Sequence, residues 1–156
     1  MLPGQKESAE RLRIELSLGL CSIPEVVTWA DEVVARDPNP DPELLELATC
    51  SRSTQEEVCV LLDSVGGEPV SVRAVGRVLG TLRASLAADP ASGERIARQV
   101  YEMAQWGFLP HEVFGWEPYC LEDYFYLAAC GYRGDQASAV RALDEFLARH
   151  EVLSAS

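Results

Sequence analysis

The sequence predicts an all-α protein of about eight helices, arranged as antiparallel hairpins in a bundle or a solenoid-like stack. Helix start and stop signals recur at short intervals along the chain. No stretch alternates apolar and polar residues with the period of two that a half-buried strand needs. The length of 156 residues fits a single domain over residues 1–156, and no clean repeat period identifies a repeat family.

Start and stop signals define four helices in the N-terminal half. Gly19 is a typical left-handed stop, and Ser22 with Glu25 forms a capping box. Asp41 precedes a proline in the order expected at a helix start. A second capping box is predicted at Ser53 and Glu56. The four predicted helices cover residues 6–18, 22–36, 42–50 and 53–65.

The C-terminal half continues the same pattern. Gly76 and Gly80 lie one turn apart inside the longest predicted helix, which indicates close contact with another segment, because each glycine lowers helix propensity. His150 lies in the last turn of the final helix, where a cation would complement the helix dipole. The predicted helices cover residues 69–87, 89–106, 118–130 and 135–150, and residues 109–114 form a single turn.

The charge distribution excludes some partners and favours others. The net charge is −12, which argues against direct nucleic-acid binding, because phosphate contacts need Lys and Arg. Residues 102–132 contain five carboxylates and neither Lys nor Arg, so a basic protein partner is expected. No apolar run is long enough to span a membrane, and the N-terminus lacks the order of a signal peptide. A cytoplasmic location is therefore expected.

The five cysteines indicate neither a disulfide framework nor a zinc site, because they are odd in number and include no C-x-x-C pair. Each lies among apolar neighbours. Buried, reduced thiols that pack as small hydrophobes are the expectation. The alternative is a nucleophilic cysteine that the fold brings next to His111.

The aromatic residues concentrate in one segment, since ten of the twelve lie between Tyr101 and Tyr132. Such a density is typical of the centre of a core or of a binding surface. The large rings around the proline-bearing loop suit either role, with core favoured by average burial and an interface favoured by the neighbouring acids. The candidate partner-binding residues are Trp106, Phe108, Glu112, Phe114, Trp116, Glu117, Glu122 and Asp123.

Two groups of residues offer an enzymatic alternative. His111 lies near several carboxylates and would need two of them within reach to work as an acid–base or metal cluster. Arg73 and Arg77, one helical turn apart, are suited to holding a phosphate or a carboxylate, although internal ion pairs are the commoner role. The glycines match no phosphate-binding loop. No catalytic residue, metal or cofactor is predicted.

Two segments carry a family resemblance. The first runs over residues 14–31 and includes Gly19, the Ser22 and Glu25 box and Trp29. The second runs over residues 121–147 and includes Gly131. Both resemble small all-helical bacterial proteins of unknown function, some of which are encoded beside polymorphic toxins and are taken to be immunity proteins. The resemblance implies an all-helical fold and supplies no active-site residues.

These observations together predict a non-enzymatic protein-binding module, of an immunity or regulatory type, that binds a basic partner. One alternative is an enzyme that binds a small molecule or a phosphate through Arg73 and Arg77 or through His111. A second alternative is a homo-oligomeric structural protein, in which the same aromatic residues form a self-interface.

Overall fold

A computed structural model describes residues 4–68 and 71–155, and within these ranges it contains α-helices, two short 3-10 helices and no strand. The predicted all-α fold is confirmed. The α-helices are α1 (Gln5–Ser17), α2 (Ile23–Arg36), α3 (Pro42–Leu47), α4 (Gln55–Ser64), α5 (Ser71–Ala88), α6 (Gly93–Gln105), α7 (His111–Phe114), α8 (Glu117–Ala129) and α9 (Gln136–Glu151). The 3-10 helices are Pro90–Ser92 and Val152–Ala155.

The chain divides into two compact units, Met1–Ala74 and Val75–Ser156, and the boundary falls inside α5. In the first unit α1 packs against α4, and α3 packs against α2 and α4. In the second unit α6 packs against α8 and α9, and α8 packs against α9. The single domain expected from the length remains a prediction.

The predicted glycine stops adopt the backbone conformation that favours glycine. Gly19 has a φ of 69°, and Gly131 has a φ of 72°. After α1, the Leu20 amide donates to the Glu15 carbonyl at 2.8 Å; after α8, the Tyr132 amide donates to the Leu127 carbonyl at 3.0 Å. These bonds form Schellman motifs, which satisfy carbonyls that the helix end leaves without partners.

The helix starts follow the predicted caps, with two corrections. The Ser22 amide donates to the Glu25 carboxylate at 2.7 Å, as the first capping box requires. The second box is shifted by one residue: Thr54 is the N-cap and its amide donates to Glu57 at 2.7 Å, so the prediction of Ser53 and Glu56 was wrong. Asp89 caps the 3-10 turn Pro90–Ser92 rather than α6 directly. Overlapping Ser-Thr and Glu-Glu pairs made either register of the box compatible with the motif.

The core of the first unit is aliphatic and has no aromatic residue at its centre. Its helices contribute small and branched side chains at helical spacing, and Trp29 is only partly buried against them. The buried set is Ala9, Leu12, Leu16, Val26, Ala30, Val33, Leu44, Leu47, Cys50, Val58, Leu62 and Val65. The second unit instead buries Phe125 and Phe146 among leucines and Met103.

Gly76 allows the C-terminal 3-10 helix to approach α5 closely. A Cβ built on Gly76 would overlap the Ser154 amide nitrogen and would lie 2.9 Å from the Leu153 carbonyl carbon. At Gly80 a Cβ would lie 3.8 Å from the Glu151 side chain, which is an ordinary contact. The close contact predicted from these glycines is therefore present at Gly76. The predicted helix start at residue 69 lies outside the described residues.

All five cysteines are free thiols, and their surroundings differ. Burial, together with the carboxylates of Glu15 and Glu25, raises the pKa of the Cys21 thiol to about 12. Its sulfur lies 3.7 Å from the Leu12 carbonyl oxygen, to which it donates. Cys50 is buried and Cys130 is exposed. The expected burial therefore does not hold at Cys130.

In the folded protein, iodoacetamide near neutral pH is expected to alkylate Cys21 about a hundredfold more slowly than Cys130, because the thiolate is the reacting form and Cys21 is also shielded. Peptide mass spectrometry over a time course measures both rates. In strong denaturant the two rates should converge. Similar rates in the native protein would contradict the structure at Cys21.

Candidate protein-binding surface

The aromatic segment covers the end of α6, all of α7 and all of α8. Four of its rings form a continuous row in which each ring contacts the next. Tyr101 and Tyr119 lie edge to face with centroids 5.7 Å apart, Tyr119 and Trp116 are 5.7 Å apart, and Trp116 and His111 are 4.6 Å apart. We call Tyr101, Tyr119, Trp116 and His111 the aromatic row. Offset and edge-to-face contacts of this kind are favourable arrangements of ring quadrupoles.

Helix packing positions the aromatic row. Tyr101 lies on α6 and Tyr119 on α8, and these two helices pack against each other. Gln105 donates from its amide nitrogen to the Tyr101 hydroxyl at 2.7 Å. Trp116 occupies the N-cap position of α8, directly after the positive-φ residue Gly115. The row is thereby held by backbone geometry and by ring contacts.

The candidate aromatic residues differ in exposure. Trp106 is 50% exposed and Trp116 is 69% exposed, so both indoles are available to a partner. Phe108 is half-buried, and its ring lies edge to face against Trp106 with centroids 6.4 Å apart. Phe114 is only 4% exposed and packs against Phe146 and His150 with centroids 6.4 and 4.8 Å away. Phe114 is therefore a core residue and does not belong to the surface.

The candidate carboxylates also fall into two classes. Glu117 accepts from Arg149 at 2.6 Å, and Glu122 lies 2.8 Å from a guanidinium nitrogen of Arg98. Glu112 and Asp123 are exposed, and neither has an ion-pair partner among residues 4–68 and 71–155. These two carboxylates are available for a partner's cation.

The outer face of α8 combines Asp123, which the sequence indicated, with three residues that it did not indicate. Tyr119, Asp123, Tyr126 and Cys130 share one face at spacings of four, three and four, opposite the buried face of the helix. Tyr126 is 64% exposed. A helical wheel of α8 would have revealed this face, because its buried residues fall together on the other side.

His111 lies against an aromatic ring and belongs to no metal-binding cluster among the described residues. Its ring lies edge to face against Trp116, and the nearby carboxylate of Glu117 is held by Arg149. Within the described part of the chain, no group of three or more His, Cys, Asp and Glu side chains is arranged to hold a metal ion.

The arginines proposed for phosphate binding have partners inside the protein. Arg73 lies 3.1 Å from the carboxylate of Glu7, within the first unit. Arg77 also makes an interaction. The Arg73 contact is an internal ion pair of the kind that the sequence offered as the alternative to ligand binding.

Two concave sites lie within the second unit. A cavity of about 190 Å³ between α8 and the start of α9 is lined by Tyr124, Leu127, Arg133 and Asp135, among others. A shallower groove of about 480 Å³ lies between the end of α5 and α9, with Leu86 and Val140 in its wall. Neither includes a member of the aromatic row.

His150 has a structural environment that differs from the one expected. Its ring packs against Phe114 and Phe146, with centroids 4.8 and 4.7 Å away. Burial lowers the pKa of His150, the positive charge of Arg149 lowers it further, and Glu117 opposes both effects. A neutral imidazole that packs against two phenyl rings replaces the expected cation at the helix end.

The lowered pKa of His150 predicts how stability changes with pH. At pH values near the His150 pKa, the folded protein binds fewer protons at this site than the unfolded chain. The neutral ring therefore makes its full contribution to the unfolding free energy above the pKa that His150 has in the unfolded chain, and this contribution is lost as the pH falls below that pKa. Between about pH 7.5 and 5.5, the unfolding free energy of the wild type should fall more than that of His150→Phe. Urea titrations at several pH values measure the difference. Parallel pH profiles for the two proteins would contradict it.

None of the described helices is long and apolar enough to cross a bilayer. Comparison with known proteins finds no matching family model, and no curated protein or solved structure with significant similarity.

Proposed function

We propose that this chain is a non-enzymatic protein-binding module that binds a basic protein partner through the aromatic row and the neighbouring carboxylates. The observation that carries the proposal is the exposure of Trp116, 69% accessible in a segment with five carboxylates and no Lys or Arg. Tryptophan is enriched among the residues that dominate binding energy at protein interfaces.

The ring contacts of Trp116 support this role. Its ring touches His111 on one side and Tyr119 on the other, with centroids 4.6 and 5.7 Å away. A side chain that is already held in place loses little conformational entropy when a partner binds, so more of the contact energy appears as affinity. Tyr119 is in turn held by Tyr101 on the neighbouring helix.

The charge distribution supports a basic partner. The whole chain carries a net charge of −12, and Glu112 and Asp123 near the row are exposed and not ion-paired with described residues. A negative field speeds and orients the approach of a positively charged protein, and salt weakens this effect. An association of this kind should therefore depend on ionic strength.

The biological role that we propose is that of an immunity-type or regulatory protein that occupies a basic effector in the cytoplasm. The two segments that resemble such bacterial proteins support this role.

The test is capture of partners from a lysate of the source organism on immobilised protein at low and high salt. Three proteins are compared: the wild type, Trp116→Ala, and Val60→Ala as a control at an exposed apolar residue of α4. A basic protein held by the wild type and the control, released by salt and lost with Trp116→Ala, supports the proposal. If the captured proteins are retained equally at low and high salt and equally by Trp116→Ala, the proposal is overturned.

Two further measurements on the purified protein test the two alternative functions. A small ligand that binds only the folded state raises the melting temperature, so a thermal-shift screen with nucleotides and phosphorylated metabolites tests the enzymatic alternative. Light scattering over a range of concentrations tests self-association. A stabilising metabolite or a concentration-dependent oligomer, without a heterologous partner, would replace the proposed function.

A further inference from the structure

Each of the two available carboxylates near the aromatic row is close in the chain to an exposed ring. Asp123 shares the outer face of α8 with Tyr119, four residues before it, and Tyr126, three residues after it. Glu112 directly follows His111, whose ring packs against Trp116. A carboxylate next to an aromatic face is a pairing that suits one side chain in particular.

That side chain is arginine. A guanidinium group is planar, so it stacks on an aromatic ring through its face while its edge donates hydrogen bonds to a carboxylate. A lysine ammonium is compact and strongly hydrated, and it cannot do both in the same way. The rings and carboxylates on this surface therefore match arginine better than a positive charge in general.

The protein already binds its own arginines beside this surface. Arg98 places its Nε 2.9 Å from Glu122, and a terminal nitrogen of the same guanidinium lies 2.8 Å from the same carboxylate oxygen. Arg149 donates to Glu117 at 2.6 Å. Glu117 and Glu122 are thus occupied by internal guanidinium groups, whereas Glu112 and Asp123 are available.

We infer that the surface recognises a protein segment that presents two arginine side chains. One binds at Trp116 and Glu112, and the other binds at Asp123 between Tyr119 and Tyr126. This inference rests on the proposed function and specifies the chemistry of its partner. The charge complementarity comes from Glu112 and Asp123, which are exposed and are not ion-paired with described residues, in a segment that contains no Lys or Arg.

The spacing of the two positions limits the partner's structure. Trp116 and Asp123 are seven residues apart, which corresponds to about 10 Å along the axis of α8. Two arginines seven positions apart on one face of a helix span the same distance. An arginine pair two turns apart on a partner helix therefore fits both positions at once.

The test uses three alanine-based helical peptides with blocked ends and the full-length protein labelled for NMR. The first peptide has two arginines seven positions apart, the second has lysines at the same positions, and the third has the arginines on opposite faces. The arginine pair should bind about threefold or more tightly than the lysine pair and should shift the amide signals of α7 and α8. The third peptide should bind more weakly than the first.

Three variants assign the effect to the surface. Trp116→Leu and Asp123→Asn should each reduce the preference for arginine over lysine, because each removes one of the two positions, and the double variant should remove it. Trp116→Phe should retain more of the preference than Trp116→Leu because a ring remains. Asp31→Asn, which makes the same charge change on an exposed residue of α2, should leave the preference unchanged. Far-UV circular dichroism checks that each variant folds.

Equal binding of the arginine and lysine peptides, or an arginine preference that Trp116→Leu leaves unchanged, overturns this inference. So does the absence of any shift in α7 and α8. A basic partner captured from the lysate through Trp116 would then still support the proposed function, because that experiment does not depend on which cation the partner presents.

Discussion

Phe114→Ala is expected to lower the free energy of unfolding by about 3–5 kcal/mol, whereas Trp116→Ala should lower it by about 1 kcal/mol or less. The two residues are only two positions apart, but Phe114 is 4% exposed and Trp116 is 69% exposed. Truncating Phe114 leaves a cavity beside Phe146 and His150. Truncating Trp116 removes ring contacts that already face solvent.

Urea denaturation followed by circular dichroism measures both changes. Partner binding should show the reverse order, with a large loss for Trp116→Ala and little effect of Phe114→Leu, which keeps most of the buried volume. The pair of measurements separates folding from binding within one short segment. If Trp116→Ala destabilised the protein as much as Phe114→Ala, the assignment of Trp116 to the surface would be wrong.

Gly76→Ala is expected to destabilise the protein by about 1–3 kcal/mol, whereas Gly80→Ala should stabilise it by about 0.5–1 kcal/mol. The two changes are chemically identical and lie one turn apart in α5. A methyl group at Gly76 would overlap backbone atoms of Ser154 and Leu153. Backbone atoms cannot relieve the overlap by a rotamer change, as the end of a flexible side chain could. At Gly80 the methyl group meets Glu151 at 3.8 Å, so the gain in helix propensity prevails.

Thermal and urea unfolding of the two variants and the wild type provide the comparison. A truncated protein that ends at residue 151 is the control, because it lacks the 3-10 helix Val152–Ala155 that contacts Gly76. In that background the destabilisation by Gly76→Ala should shrink or change sign. Equal effects at Gly76 and Gly80 in the full-length protein would contradict the close approach of the C-terminal turn.

Arg83 joins α5 to α9, the helix that precedes the C-terminal 3-10 helix, because it pairs with Asp144 and Glu151. The side chain is partly exposed, and isolated exposed ion pairs contribute little to stability. The steric fit at Gly76 should therefore matter more for the packing of the C-terminal segment on α5 than the ion pairs at Arg83.

The helices of this protein were predictable from local signals. The stops at Gly19 and Gly131 and the caps at Ser22, Asp41 and Asp135 involve atoms a few residues apart, so the sequence alone defined most helix ends within one or two residues. Where two registers were equally compatible, as at Thr54, a local signal could not distinguish them.

The sequence predicted which segment contains the candidate surface, but it did not predict which side chains of that segment are exposed. The density of rings and acids pointed to residues 101–132, but Phe114 and Trp116 have the same hydrophobic character in the sequence. The pairing of Glu117 with Arg149 joins residues 32 positions apart, and that of Glu122 with Arg98 joins residues 24 apart. No local pattern indicates which carboxylates such distant arginines occupy.

The sequence by itself therefore determined the all-α class, the order of the helices and the concentration of rings and negative charge in one segment. These features depend on backbone preferences and composition, which act over a few residues. Only the tertiary structure decided which rings are buried, which carboxylates remain available and why Gly76 must lack a side chain. Those properties arise from contacts between helices that are far apart in the chain, where packing and ion pairing select among side chains that the sequence leaves equivalent.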